Sequence, residues 1–194
     1  PQELTYRVIC GTDSEEIPVS LEGNSDSFRM KLSFLPNGNC VILPNINGRG
    51  YGFFKITEGE SSGLWSVLRS SEDEVLKGSL LITLYENLRW KTISPQGFRE
   101  EMLAYLPNES NSLLFSMALS YLGDCQRIFP SDSRPLEQVL WKIVTTNPVS
   151  QHRLQAFRLY RSIADSEEAV QRLYTLWQER KAPKDCTLSE SDYI

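Results

Sequence analysis

Between Ile56 and Leu64 the hydrophobic period of this chain changes from two to about 3.6, and it does not change back. This switch most constrains what the chain can fold into. Before it lie short alternating segments separated by Gly, Asn, Asp and Pro. After it nearly every segment reads as an amphipathic helix. Strands first and helices afterwards predict an α+β chain with two domains, 1–57 and 58–194, joined by the polar stretch Glu58 to Ser62.

Thr5 to Cys10 alternates as a half-buried strand does, and Gly11-Thr12-Asp13 is a turn signal. Ile17 to Leu21 follows, with Pro18 marking an edge strand because proline cannot donate to a ladder. Phe28, Met30 and Leu32 alternate with Arg29 and Lys31. Leu35-Pro36-Asn37-Gly38 is a hairpin-type turn. Cys40 to Leu43 and Tyr51 to Ile56 are expected to pair across Pro44 to Gly50. Five short strands predict a small antiparallel β-sandwich.

The helical part opens at Leu64-Trp65 and Val67-Leu68. Ser71-x-x-Glu74 reads as a capping box, in which each side chain satisfies a backbone donor of the first turn. Leu76, Leu80, Leu84 and Leu88 then share one helix face. Ser94-Pro95 starts a helix carrying Phe98, Met102 and Leu106. The longest stripe follows Asn108: Leu114, Met117, Ala118, Tyr121, Leu122, Cys125, Ile128 and Phe129, stopped by Pro130. Leu136, Val139, Leu140 and Ile143 define a helix that ends before Asn147-Pro148. Leu154, Phe157 and Ile163 belong to another. Asp165-x-x-Glu168 is expected to cap a last one with Val170, Leu173, Tyr174 and Trp177. Short connections and helix pairs at roughly 40-residue intervals predict a HEAT- or armadillo-like superhelix. Thr187-x-x-Glu190 and Ser189-x-x-Asp192 look like helix starts with too little chain behind them. The expectation is a chain cut short at its C-terminus, with part of the last apolar stripe left open. A frayed tail is the plainer alternative.

Chemistry is sparse. The chain has one His, His152, so it lacks the His-Glu-x-x-His that places two zinc ligands and a general base on one helix. Its four cysteines are far apart, and with a good core available they read as buried or free thiols. Cys125 with His152 would make a nucleophile and base, but Cys125 sits on an apolar stripe and His152 in a first helical turn, where surface or capping duty is expected. Gly48-Arg49-Gly50-Tyr51-Gly52 lacks the Lys-Ser/Thr of a phosphate loop and reads as a turn. Trp65, Trp90, Trp141 and Trp177 accompany aliphatic residues and are expected to pack between helices. A net charge of −5 argues against a nucleic-acid partner, and no apolar run is long enough for a membrane span. Arg153, Arg158, Arg161 and Arg172 form the basic cluster; Arg158 and Arg161 share a helix face, with a solvated surface as the plain reading.

Asn47-Gly48-x-Gly50-Tyr51 resembles the Asn-x-Gly-Tyr-Tyr-Arg strand that ends the β-sandwich domain of aminopeptidase N-like zinc metallopeptidases. Leu64-Trp65-Ser66-Val67-Leu68 looks like the short helix after it, Leu80 to Asn87 like the next, and Asn108-Glu109 like a later helix start. Gly52 and Phe53 stand where Tyr and Arg are common, so the resemblance is to a divergent, bacterial branch. It implies a non-catalytic C-terminal part of such an enzyme, a spacer and cap over the active-site chamber. The zinc, its ligands and the catalytic residues would belong to an upstream domain of the same polypeptide, and the substrate would be a peptide. No catalytic, cofactor-binding or metal residue carries over. Arg158 and Arg161 are the candidates for attracting a peptide carboxylate in that chamber. A stand-alone protein-interaction module with a helical-repeat surface is the alternative.

Overall fold

The computed structural model describes residues 2–21, 31–36, 40–183 and 186–193. Among the described residues it is an α+β chain with one three-stranded antiparallel sheet and seven α-helices, 59% helical. Two compact units divide it, Pro1–Ser94 and Pro95–Ile194. The change from strand to helix comes at Thr57, while the division into units comes after Ser94.

In the first unit β1 (Gln2–Cys10) is central, between β2 (Asp13–Leu21) and β3 (Cys40–Leu43). Gly11, at φ +64, opens the tight turn from β1 to β2, a backbone conformation that costs glycine nothing. Among the described residues β2 lies at the sheet edge, as Pro18 requires. β3 pairs with β1, Arg7 opposite Leu43 and Cys10 opposite Cys40, and not with Tyr51 to Ile56. That last segment forms no strand, which corrects the expected pairing. Its backbone is bonded instead by the Asn87 side chain, which accepts from Ile56 N–H and donates to Phe54 O. The expected strand from Phe28 to Leu32 lies outside the described residues except for Lys31 and Leu32, which are irregular. A two-layer sandwich is therefore not seen among the described residues; there is one sheet.

Cys10 and Cys40 form a disulfide, which corrects the expectation of four thiols; Cys125 and Cys186 are free and buried. The spacing gave no sign of it, because the bond joins register partners on two strands. Closing a loop of sequence separation 30 in the unfolded chain is worth about 3–4 kcal/mol in the chain-entropy account.

The Asn-Gly-rich stretch is a compact turn. Asn45 (φ 50) accepts from Gly48 N–H at 3.0 Å and from Ser79 Oγ at 2.7 Å through its carbonyl. Its side chain brackets Gly50, accepting from Gly50 N–H at 2.7 Å and donating to Gly50 O at 3.1 Å. A Cβ on Gly50 would lie 1.9 Å from Leu4 Cδ2, so the turn closes onto β1 only with glycine there.

Glu58 to Ser62 is not a connector but the first part of α1 (Glu58–Ser70). Thr57 and Glu60 cap it reciprocally, and the box expected at Ser71-x-x-Glu74 does not form, because Ser71 is the C-cap of α1. α2 (Glu74–Arg89) is capped by Asp73, whose carboxylate accepts from Val75 and Leu76 N–H, while Ser71 ends α1. Leu76, Leu80, Leu84 and Leu88 are all buried, as their spacing predicts. Gly63 of α1 faces β3, and a Cβ there would lie 2.6 Å from Val41 Cγ2 and 2.8 Å from Val41 Cγ1. Gly63→Ala is therefore expected to destabilise. Alanine gains about 1 kcal/mol of helix propensity, but overpacking against a stiff β-branched neighbour costs about 1–3 kcal/mol. Urea melts of the variant check the sign.

The second unit holds α3 (Pro95–Tyr105), a 3-10 turn (Leu106–Asn108), α4 (Ser112–Ile128), α5 (Arg134–Thr146), α6 (Ser150–Ile163), α7 (Glu167–Glu179) and a short 3-10 turn (Glu190–Tyr193). Asn111 caps α4, accepting from Leu113 and Leu114 N–H. Leu114, Phe115, Ala118, Leu119, Leu122 and Cys125 face inward, so Phe115 and Leu119 join the expected stripe, while Met117 is half-buried and Ile128 exposed. α6 packs on both α4 and α5, with Gly123 admitting Leu159. Ser166, not Asp165, caps α7 through Ala169 N–H. α7 buries only Ala169; Val170, Tyr174 and Trp177 are 51%, 52% and 49% exposed. Among the tryptophans only Trp65 is fully buried. Trp90 and Trp177 are exposed and Trp141 is half-buried, which corrects the expectation of four core residues.

Candidate functional site

The second unit brings polar side chains together at several places, three of them around a buried His, Glu or Asp. The first is the pair His152 and Ser112. His152 is wholly buried, not at the surface as expected, and its ring stacks flat on Phe115 with centroids 4.0 Å apart. Its Nε2 meets Ser112 Oγ at 3.0 Å, while Nδ1 has no hydrogen-bond partner. Cys125 is not its companion; that thiol lies 3.7 Å from Pro95 O, and burial raises its pKa against a smaller lowering by Arg99. A serine–histidine contact invites a nucleophilic reading. A working base needs a group on Nδ1 to orient it and a route for substrate, and this buried ring has neither. The pair ties α4 to α6.

Beside it Glu109, also buried, accepts from Asn111 N–H at 2.7 Å and from the Tyr105 hydroxyl. Burial, then the hydrogen bond to Glu109 and its charge, push the Tyr105 phenol up. Burial lowers the His152 pKa below 6.5, and the Glu109 carboxylate opposes that. The folded chain thus binds this proton less readily than the unfolded one. Stability is full above about pH 6.5 and falls as the pH drops below it. Thermal melts from about pH 8 to about pH 5 should show this slope, and His152→Phe should flatten it.

The second place is Glu137 of α5. Its carboxylate accepts from Ser133 Oγ at 2.9 Å, Asp165 N–H at 2.8 Å, Ser166 N–H at 3.1 Å and the Ser166 hydroxyl. Burial raises its pKa, but these donors outweigh it and hold the carboxyl below its usual value. This contribution is lost only as the pH falls below about 4.5, a window separate from that of His152. Glu137 fixes the N-terminus of α7, where the helix dipole favours an anion. Arg134, Tyr160, Glu168 and Arg172 line the depression of about 360 Å³ next to it. Arg172 lies over the Trp141 ring at 4.5 Å and donates to Tyr160 OH at 3.1 Å and to Glu168 at 2.6 Å.

The third place is Arg158, one of the two chamber candidates. Its guanidinium pairs with Asp192 of the same chain, Nε to Oδ1 at 2.8 Å and the terminal nitrogen to Oδ2 at 3.2 Å. Ser189 N–H and Oγ also donate to Asp192, and Asp192 N–H donates to the Ser189 carbonyl at 2.9 Å, so the helix start expected at Ser189-x-x-Asp192 is a single 3-10 turn. Asp192 is buried, and Arg158 holds its carboxyl far below the usual range, against a smaller opposing effect of burial. Arg161 lies on the same helix, half-buried.

The spacing of Ser133 to Glu137, four apart, was visible in the sequence; the return of Ser166 to the same carboxylate was not. Among the described residues no group of three His, Cys, Asp or Glu is placed to hold a metal ion, and no helix is long and apolar enough to cross a membrane. No family model, curated protein or solved structure matches this chain.

Proposed function

We propose that this chain is a supporting, non-catalytic part of an aminopeptidase N-like zinc metallopeptidase. The observation that carries the proposal is the Asn45–Gly50 turn, which holds Asn47, Gly48 and Gly50 of the motif Asn47-Gly48-x-Gly50-Tyr51 and comes in the chain between a small antiparallel sheet and a run of helices. Asn47 donates to Thr5 Oγ1 at 2.9 Å and accepts from Arg49 N–H at 3.2 Å, while Asn45, just before the motif, brackets Gly50 and is held to α2 by Ser79. In this reading the second unit's helices form part of a helical-repeat superhelix that caps the peptide chamber. Zinc and the hydrolytic residues lie in an upstream domain. Arg158 and Arg161 then lie on the cap, Arg158 already engaged by Asp192.

The test is the natural reading frame. A frame continuing upstream into His-Glu-x-x-His, and a longer protein with chelator-sensitive cleavage of aminoacyl chromogenic substrates, support the proposal. The chain by itself is expected to be inactive on those substrates and to bind no stoichiometric zinc. Chelator-sensitive hydrolysis that purifies with the chain alone would sink it. The second reading, an interaction module, is favoured by one observation, the exposed apolar face of α7.

A further inference from the structure

Asn108-Glu109-Ser110 is the one place in the chain where Asn is followed two residues on by Ser or Thr. That order directs a glycan to the Asn amide in secreted proteins, where the acceptor lies in a surface loop. Three residues alone recur by chance, and the fold adds what chance does not supply. The segment lies between the 3-10 turn Leu106–Asn108 and the start of α4 at Ser112. Pro107, Asn108 and Ser110 are exposed, while Glu109 between them is buried. Glu109 has extended backbone, φ −81 and ψ 122, so its two neighbours leave the chain on the side opposite its own side chain. Its carboxylate is fixed inside by the Tyr105 hydroxyl and by Asn111 N–H. This inward anchor turns Asn108 and Ser110 out to solvent together.

Asn108 Nδ2 donates to Ala104 O at 3.1 Å, near the end of α3. A side-chain amide carries two hydrogens, and a glycosylated one keeps the second, so this bond is compatible with a glycan on the same nitrogen. A separate observation lies in the first unit. The Cys10–Cys40 disulfide belongs to an oxidising compartment, the surroundings in which exported chains are formed and modified.

We infer that Asn108 is an N-glycosylation site, with a lipid diphosphate oligosaccharide as the donor. Asn108 Nδ2 bonds to C1 of the first sugar, and the bond from C1 to the diphosphate oxygen breaks. The lipid diphosphate leaves with that electron pair, and the transferring enzyme takes the amide proton. A glycan there keeps the corner between α3 and α4 in solvent. The inference stands apart from the aminopeptidase reading.

The test begins with the protein purified from its own cells. An amidase that releases Asn-linked glycans, used in heavy-oxygen water, should remove the glycan mass and leave isotopically marked Asp at position 108. Secretion of the chain from eukaryotic cells is the second arm. The wild-type product should run as a heavier species that the amidase collapses. Asn108→Gln and Ser110→Ala should each lose that species, and Ser110→Thr should keep it. Ser110 is exposed, so Ser110→Ala should melt like the wild type and separates loss of the acceptor sequence from misfolding. Alkylation of thiols in the natural cells should leave Cys10 and Cys40 unmodified, as a disulfide. Asn108 without a glycan in either sample overturns the proposal. A heavier species that persists in Asn108→Gln or Ser110→Ala overturns it too, as do Cys10 and Cys40 found as thiols in the natural cells.

Discussion

Leu122→Asp should unfold the second unit in water at room temperature. Leu122 has no exposed surface and lies in α4 between the equally buried Ala118 and Cys125. Aspartate there loses the transfer energy of the leucine and leaves part of its volume empty, about 2–5 kcal/mol. It also brings a carboxyl group that must be buried charged without a partner or be neutralised at a further cost. Together these reach about 5 kcal/mol or more, comparable to the whole stability of a domain this size. Leu113→Asp is the control. Leu113 is on the same helix but 76% exposed, so its substitution should change stability by about 0.5 kcal/mol or less. Far-ultraviolet circular dichroism separates the two outcomes. Wild-type-like melting of Leu122→Asp would mean that α4 does not turn this face inward.

Asn87→Ala should be the most damaging polar substitution in the first unit. Asn87 is completely buried at the C-terminal end of α2. Its Oδ1 accepts from Ile56 N–H at 2.9 Å and from Thr92 Oγ at 2.6 Å. Its Nδ2 donates to Phe54 O and Thr83 O, both at 2.8 Å. Alanine would leave the Ile56 amide and the Phe54 carbonyl without this partner, each costing about 1–3 kcal/mol when buried, and would leave a cavity as well. A loss of about 4 kcal/mol is expected in urea unfolding followed by Trp65 fluorescence. Thr92→Val, which removes one of the four bonds, should cost only about 1 kcal/mol. Equal losses in the two variants would show that Asn87 is not the centre of this network.

Asn87 also explains where the sequence misled. Tyr51 to Ile56 carries strand-like residues, and a sequence pattern registers side-chain character, not the partner of each backbone group. The backbone here is held by an amide side chain distant in sequence, so no ladder is needed. Signals that act within one helical turn were legible: the Leu76–Leu88 stripe, the start at Pro95, the stops at Pro130 and Asn147-Pro148. The caps at Asp73 and Ser166 lay beside the predicted ones, because several oxygen-bearing residues adjoin each helix start and only backbone geometry chooses among them. What depends on two distant segments was not legible. The burial of His152 under Phe115, the return of Ser166 to Glu137, the capture of Arg158 by Asp192 and the pairing of Cys10 with Cys40 are all of this kind. The Arg158 and Arg161 face was read from helical spacing alone, and spacing does not say which guanidinium a carboxylate from elsewhere in the chain will reach.

The Cys10–Cys40 bond makes the small sheet answerable to its surroundings. β1 and β2 meet through a tight turn and can pair early, since their contacts are local. β3 arrives from a distant point in the sequence and has only four residues, Cys40–Leu43, to hold its register. Where thiols are oxidised, that register is fixed by a covalent bond, and the other two thiols are buried and poorly placed to exchange with it. Where thiols are kept reduced, β3 rests on its short ladder, on Leu43 and on the contact of Val41 with Gly63. The free edge of β1 is then one local opening away from another chain's strand. The redox poise of the medium therefore sets how often this chain offers an unpaired strand to its neighbours.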